Sequence, residues 1–306
     1  MKNRVLLIGG NGFVGSHLID LLIKLDYPIR VLARSKEKYR LENPKVDYRY
    51  GDFQSIEFVE ECLEDIDFVF HLISSTVPTN SNKDIAYDIN SNLIPGINLL
   101  NALVKLKTKK IIYISTGGAI YGDSEIIPTP ETCLLNPISS YGIQKMAMEY
   151  YIKLFNRLYG IDYLIARVSN LYGERQNKSG VNGFINTLLD KTIENKPIEI
   201  WGDGSQVRDY LHIEDLMSFM ELALKKQASG IYNVGFGEGH SINEIIEIVR
   251  SISKNEIELV FKSARAFDVK KIVLDISKAK NDLNWSPEIS LENGITKLWD
   301  FKQKSI

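Results

Sequence analysis

The chain has 306 residues, 44% hydrophobic and 25% charged, with a formal net charge of −2. That length can bury a large core as one domain or two, and a near-neutral balance without a basic block gives nucleic acid no electrostatic footing. No apolar run reaches the roughly 18 residues of a membrane span, the apolar run after Met1 is too short for a signal peptide, and Cys62 and Cys133 stand far apart, outside metal-ligand spacing. The expectation is a cytoplasmic protein with no metal site and no nucleic-acid or membrane partner.

In chain order, Val5–Ile8 is a short apolar run and predicts a buried parallel strand. Apolar residues at helical spacing (Val14, Leu18, Leu21, Leu22, Leu25) predict a helix over residues 13–25, with Pro28 beyond its end. Strands are predicted at Ile29–Ala33, Tyr48–Tyr50, Phe68–Ile73, Ile111–Ser115 and Tyr163–Val168. A long helical pattern covers Ile85 to Leu106, and another runs from about Tyr141 to Tyr159. This alternation predicts an α/β fold, a doubly wound parallel sheet with helices on both faces. After about Asn170 the segments shorten, with helices predicted near 181–194, 214–226, 242–253 and 291–303. The expected division is a dinucleotide-binding Rossmann domain over 1–169, to which 209–235 returns, and a smaller discontinuous lobe made of 170–208 and 236–306.

Directly after the first apolar run comes Gly9-x-x-Gly12-x-x-Gly15, opening the first helical pattern. A lone glycine pattern is weak, but strand, glycines and helix in that order fit a dinucleotide cradle. Gly9 allows the tight turn, Gly12 lets backbone approach a pyrophosphate, and Gly15 lets the helix pack close. The phosphates would sit on the helix N-terminus, where unpaired N–H groups and the dipole favour anions. After the second strand, NAD sites place an acid for the ribose hydroxyls. This chain has Ala33-Arg34-Ser35-Lys36 instead. Arg34 can pair with a 2′-phosphate, so the cofactor is NAD or NADP with NADP favoured. Asp52 follows the third strand, where it contacts the adenine or caps a turn.

Tyr141 and Lys145 lie four residues apart, on one face of a predicted helix. A free phenol, with a pKa near 10, is a poor base at neutral pH. A nearby ammonium and a cationic nicotinamide both favour the phenolate. That tuning is what acid–base work on a hydroxyl requires. Taken alone, the pair is an ordinary helix surface; beside the glycine motif it reads as catalytic.

With these residues in view, the chain resembles the extended short-chain dehydrogenase/reductase family, in its nucleotide-sugar epimerase/dehydratase branch. The resemblance also rests on Ser115–Gly122, on Arg167–Gly173 with Asn170, on Trp201–Tyr210 with Arg208, and on Arg265–Asp268 and Asn284-Trp285. It implies that Phe13, Val14, Phe53, Leu72 and Asn92 join Gly9, Gly12, Gly15, Arg34, Asp52, Tyr141 and Lys145 around the cofactor. It further implies that Asn170, Arg208 and Arg265 contact the diphosphate of a nucleotide sugar, where a guanidinium matches phosphate oxygens. Val181–Phe184 would line the base pocket or simply pack. A homodimer through the helices near 85–106 and 141–159 is implied as well.

Two departures stand out. The family places a Ser or Thr where this chain has Gly117, and Thr116 is the candidate substitute, with Ser115 second. Pro95 occupies the place of a usual glycine. Family dehydratases carry Asp-Glu just after the catalytic Thr, whereas this chain has Gly118-Ala119, which discounts dehydration. The activity expected is an NAD(P)-dependent nucleotide-sugar 4-epimerase working through a transient 4-keto sugar. The alternatives are an NADPH-dependent 4-keto-sugar reductase and a non-catalytic dinucleotide-binding protein. His71, His212 and His240 show no metal spacing and read as structural.

Overall fold

Four consecutive apolar residues, Val5–Ile8, are all buried and form strand β1 inside a seven-stranded sheet. A strand covered on both faces needs no polar alternation. The computed structural model describes residues 2–36, 39, 41–176, 183–265 and 268–304. Beyond β1 the chain runs through α1 (Phe13–Lys24), β2 (Ile29–Ala33), β3 (Val46–Tyr50), α2 (Ile56–Leu63), β4 (Phe68–His71), α3 (Pro78–Ser81) and α4 (Ile85–Asp88). A π-helical turn over Ile89–Leu93 leads into α5 (Ile94–Lys105), followed by β5 (Lys110–Thr116), α6 (Ser140–Tyr159) and β6 (Asp162–Val168). The remainder is β7 (Asn170–Tyr172), α7 (Phe184–Ile193), β8 (Ile198–Trp201), β9 (Val207–His212), α8 (Ile213–Lys225), β10 (Gly230–Val234) and β11 (Gly239–Ser241). It closes with α9 (Ile242–Ser253), β12 (Leu259–Lys262), β13 (Lys271–Ile272), α10 (Ser277–Leu283) and α11 (Leu291–Gln303).

The large sheet has the order β10-β6-β5-β4-β1-β2-β3. Strand β1 pairs in parallel with both β2 and β4, Val5 standing opposite Ile29 and Phe68. The strand order reverses direction between β1 and β4, the topological switch point at whose carboxyl end α/β sheets bind ligands. The doubly wound α/β architecture is therefore as the alternation predicts.

The chain forms two compact units. The first comprises Met1–Thr116, Ser139–Arg167 and Ala223–Tyr232. Its core packs Leu6, Ile8 and Val69 against Leu99, Leu103, Met148 and Ile152. The second comprises Gly117–Ile138, Val168–Leu222 and Asn233–Ile306. There α7, α9 and α11 cover a core of Tyr172, Leu188, Ile200, Ile246 and Leu298. A four-stranded sheet (β11-β9-β13, with β7 on β9) and the pair β8–β12 belong to this half of the chain.

The helical pattern expected unbroken from Ile85 to Leu106 is interrupted. Ile94 N–H bonds back to Ile89 O, five residues earlier, closing a π turn. Pro95, in the first turn of α5, has no N–H to give to the turn ahead of it. Helix α2 went unpredicted because its eight residues carry only Val59, Cys62 and Leu63 as a buried face.

Candidate active site

The turn from β1 into α1 is shaped by backbone proximity. Gly9 has φ +86°, and a Cβ there would lie 2.9 Å from Ile73 Cγ1. At Gly15 a Cβ would lie 2.4 Å from the Gly10 carbonyl oxygen, so the first helical turn rests directly on the backbone leaving β1. Gly12 is the N-cap of α1 and supplies no capping side chain, and no acidic residue stands in the first turn formed with Phe13 and Val14. An uncapped helix start reached only by backbone is a fit for a pyrophosphate. Leu72 follows β4 and donates its N–H to Ile8 O at 3.1 Å, at the switch point.

The other residues expected near a cofactor divide. Arg34 is exposed just past β2. Asp52 accepts from Gln54 N–H at 3.0 Å and so caps a turn. Phe53 is buried in the first core with its ring 5.4 Å from that of His71. Asn92 lies in the π turn, and its carboxamide is spent on protein. Its oxygen accepts from Ser75 N–H at 2.7 Å, and its nitrogen donates to Thr76 Oγ1 and to the Asp88 carboxylate.

Helix α6 starts under unusually complete side-chain control. The first N–H groups of a helix have no partner within it. Here Ser140 N–H donates to Asn82 Oδ1 at 2.8 Å, Tyr141 N–H to Ser81 Oγ at 3.1 Å, and Gly142 N–H to Ser139 Oγ at 3.2 Å. The position of Tyr141 is thus fixed by the short helix α3 and the residue after it.

Tyr141 and Lys145 are brought together. The Lys145 ammonium donates to Ile114 O at 2.9 Å, lies 4.6 Å from the Tyr113 ring centroid, and stands 5.8 Å from the Tyr141 ring. The Thr116 side chain acts on the Tyr141 hydroxyl. Burial pushes the Tyr141 phenol up to about 12; the Thr116 side chain opposes this and the Asp88 charge adds to it. Burial pulls Lys145 down to about 8, against the charges of Glu149 and Asp88. At about 12 the phenol is protonated at neutral pH, an acid rather than a base, and positive charge brought closer to its oxygen would bring it down.

One helical turn further, Glu149 is wholly buried and paired with Arg167 of β6, Nη2 to Oε2 at 2.7 Å. Ser115 Oγ donates to the same carboxylate at 2.6 Å, so this ion pair ties α6 to the ends of β5 and β6. Ser115 is therefore turned towards Glu149, whereas Thr116 is turned towards Tyr141.

In the second unit Asn170 opens β7, paired with Tyr210 of β9. The Arg208 guanidinium donates to Val207 O at 3.0 Å and Lys270 O at 3.4 Å. The Arg265 guanidinium lies over the Trp201 ring, 3.9 Å from its centroid. Among the described residues, neither arginine has a carboxylate within ion-pairing distance. Residues 181 and 182 of the expected base-pocket stretch lie outside the described residues.

Residues 5–235 match the model of the NAD dependent epimerase/dehydratase family. The chain belongs to that family. Among solved structures, it superposes on Thermotoga maritima UDP-glucose 4-epimerase with UDP-glucose at a TM-score of 0.93, with 34% identity over 99% of both chains. Thermus thermophilus UDP-glucose 4-epimerase complexed with NAD also gives a TM-score of 0.93, at 30% identity over 99% of this chain and 100% of that one. Among curated relatives, an Escherichia coli dTDP-4-dehydro-6-deoxyglucose reductase is 30% identical, covering 97% of this chain and 96% of its own.

At the Gly117 departure, the neighbouring Thr116 is the hydroxyl that acts on the phenol, and Ser115 is engaged by Glu149. Sequence reasoning passed over Asp88, Tyr113 and Glu149. Glu149 was within reach of it: it repeats the four-residue spacing of Tyr141 and Lys145. Asp88 was not, because its neighbours Thr76 and Ser140 come from distant segments. No helix of the described residues is long and apolar enough to cross a membrane.

Proposed function

We propose that this enzyme inverts the C4 centre of a nucleotide-diphosphate sugar through a transient 4-keto sugar. One observation carries the reading: Tyr141 stands on the same helix face as a buried Lys145 ammonium, 5.8 Å from its ring. The chemistry supplied by a bound nicotinamide dinucleotide is reversible hydride transfer at C4. Tyr141 takes the C4 hydroxyl proton as the carbon is oxidised and returns it when the ketone is reduced from the other face. Thr116 holds the phenol and the substrate oxygen in line. Lys145 lowers the phenol's pKa and holds the cofactor ribose. Gly9, Gly12 and Gly15, with Phe13, Val14 and Leu72, form the pyrophosphate cradle of the first unit. Asn170, Arg208 and Arg265 of the second unit bind the substrate diphosphate. The names of the structural relatives favour UDP as the nucleotide.

The test is to purify the protein, identify the dinucleotide it retains, and supply UDP-glucose. Interconversion with UDP-galactose without added cofactor supports the epimerase. A second reading, a 4-keto-sugar reductase with exchangeable NADPH, is favoured by the exposed Arg34 and the absence of an acid in Arg34-Ser35-Lys36. Consumption of NADPH by a 4-keto sugar nucleotide, with no epimerisation, would establish it. Competition of NAD against NADP for the purified protein decides the cofactor preference, for which Arg34 favours NADP.

We further propose a cytoplasmic homodimer through α6 and the helical stretch before it. Ile143, Leu154 and Leu158 of α6 and Ile85, Tyr87 and Ile94 are large apolar residues left exposed on those elements. Sedimentation at micromolar concentration distinguishes dimer from monomer.

A further inference from the structure

Asp88 is fully buried, yet the groups that meet its carboxylate are neutral. Thr76 Oγ1 donates to one oxygen, which also accepts from Asn92 Nδ2 at 3.0 Å. Ser140 Oγ donates to the other at 2.6 Å. No described lysine or arginine forms an ion pair with it. A buried carboxylate without a direct cationic partner is costly. It persists where a field or a structural task needs it.

The three donors define the task. Thr76 belongs to the loop after β4, Asn92 to the π turn, and Ser140 to the first turn of α6. Ser140 immediately precedes Tyr141. The carboxylate also faces the N-terminus of a 20-residue helix, where a negative charge is favoured. Asp88 is therefore the knot joining the loop at the switch point to the turn that aims the phenol.

The charges around Lys145 define the field. On α6 it faces Tyr141 and Glu149, the latter already neutralised by Arg167 of β6. From β5 it faces the Tyr113 ring, and from β4 it acts on His71, a neutral imidazole. Asp88 of α4 is the remaining negative charge that acts on it. Glu149 first and Asp88 second thus oppose the burial of the Lys145 ammonium.

We infer that Asp88 is a positioning residue of the catalytic pair: through Ser140 it fixes the turn that presents Tyr141, and it adds a negative charge to the surroundings of the Lys145 ammonium. This rests on Tyr141 and Lys145 being the proton-transfer pair. Asp88 touches neither substrate nor cofactor in this role.

The experiment uses the holoenzyme with UDP-glucose as probe. For Asp88→Asn, kcat falls on the order of tenfold with KM held, and the alkaline limb of the kcat profile moves down by about one pH unit. Competitive acetylation across pH, read on the Lys145 peptide by mass spectrometry, shows the same downward move without substrate. Ser140→Ala cuts the tether but keeps the charge, so kcat falls while the limb stays in place. An unchanged profile and unchanged Lys145 titration in Asp88→Asn overturn the inference. A uniform fall in kcat with no shift overturns it too, since a merely structural residue would do that. Should Asp88→Asn fail to fold, Ser140→Ala with full kcat overturns the positioning role. The underlying reading fails separately: full turnover in Tyr141→Phe would remove it, while the Lys145 titration would still report on Asp88.

Discussion

Arg167 in the first unit and Arg208 and Arg265 in the second put one side chain to opposite uses. Arg167 is 3% exposed at its side chain, and Nε and Nη2 both donate to a Glu149 carboxylate that is 0% exposed. Nothing of that carboxylate is left for a ligand. Arg208 and Arg265 are half-buried and held by backbone carbonyls and by the Trp201 face, without a described carboxylate partner. Burial holds the Arg208 guanidinium below its usual value, and the charges of Tyr210, Asp268 and Asp123 oppose that. A half-buried cation with no carboxylate at ion-pairing distance among the described residues gains more from an arriving anion than a saturated one does. The first arrangement anchors α6 to β6, and the second is the one to which the proposed function gives the substrate diphosphate.

The largest effect that would break this comparison lies at the helix itself. Tyr141→Phe should cost 10²–10⁴-fold in kcat, roughly 3–5 kcal/mol, at an unchanged thermal midpoint. Steady-state kinetics with UDP-glucose and a melting curve measure both sides of that statement, and turnover at the parent rate would sink it. Glu149→Ala should act on stability instead. It strands a buried guanidinium, for which a cost of about 3–5 kcal/mol is expected in urea unfolding. Replacing Glu149 and Arg167 together by Met should restore most of that loss. If the single variant were as stable as the parent, Arg167 would not be the structural arginine described above.

Thr116→Val removes the hydroxyl that acts on the phenol while keeping the side-chain shape. A loss of about 2.7–4 kcal/mol in kcat/KM is the scale for one organised donor in such a site. A much smaller loss would mean that Tyr141 is held by its capped helix turn alone. Arg208→Ala should sharpen the contrast from the other unit. KM for UDP-glucose rises, on the scale of about 1.5–3 kcal/mol for a hydrogen bond to a charged group, with kcat nearly kept. A fall in kcat at constant KM would move Arg208 out of ground-state binding.

The parts legible in the sequence are those where a local pattern and a structural demand coincide. The Gly9–Gly15 spacing maps onto a turn in which Gly9 needs positive φ and Gly15 meets backbone. The Tyr141–Lys145 spacing maps onto one helix face. Phe53 shows the limit of such patterns: its ring packs on His71 in the core, a contact that no spacing along the chain announces. Asn92 sits beside the switch point but ties the Ser75–Thr76 loop to Asp88. No sequence spacing announces Thr76, Asp88, Asn92 and Ser140 as one network, because three separate segments meet only in the fold. The π turn before Pro95 depends on that same meeting.

His71 offers the smallest effect and tests whether the core under the catalytic pair is as dry as the geometry implies. Its ring lies 5.4 Å from that of Phe53 and 5.3 Å from that of Tyr113, and Nδ1 finds no hydrogen-bond partner among the described residues. Burial, with the nearby Lys145 charge adding to it, drives the imidazole from 6.5 down to about 3. The folded form therefore stays neutral while the unfolded chain takes up a proton below 6.5. A depressed folded pKa means stability is fully present above 6.5 and drains away as pH falls towards about 3. Between pH 7 and pH 5.5 the loss attributable to this one group is about 1 kcal/mol, rising towards about 1.4 kcal/mol for each further pH unit. Urea unfolding at stepped pH should show that slope in the parent and a flatter one in His71→Leu. An identical slope in both would mean that water or a donor reaches the ring, and the pocket floor beneath Lys145 would then be wetter, and Lys145 less dependent on Asp88, than the packing shows.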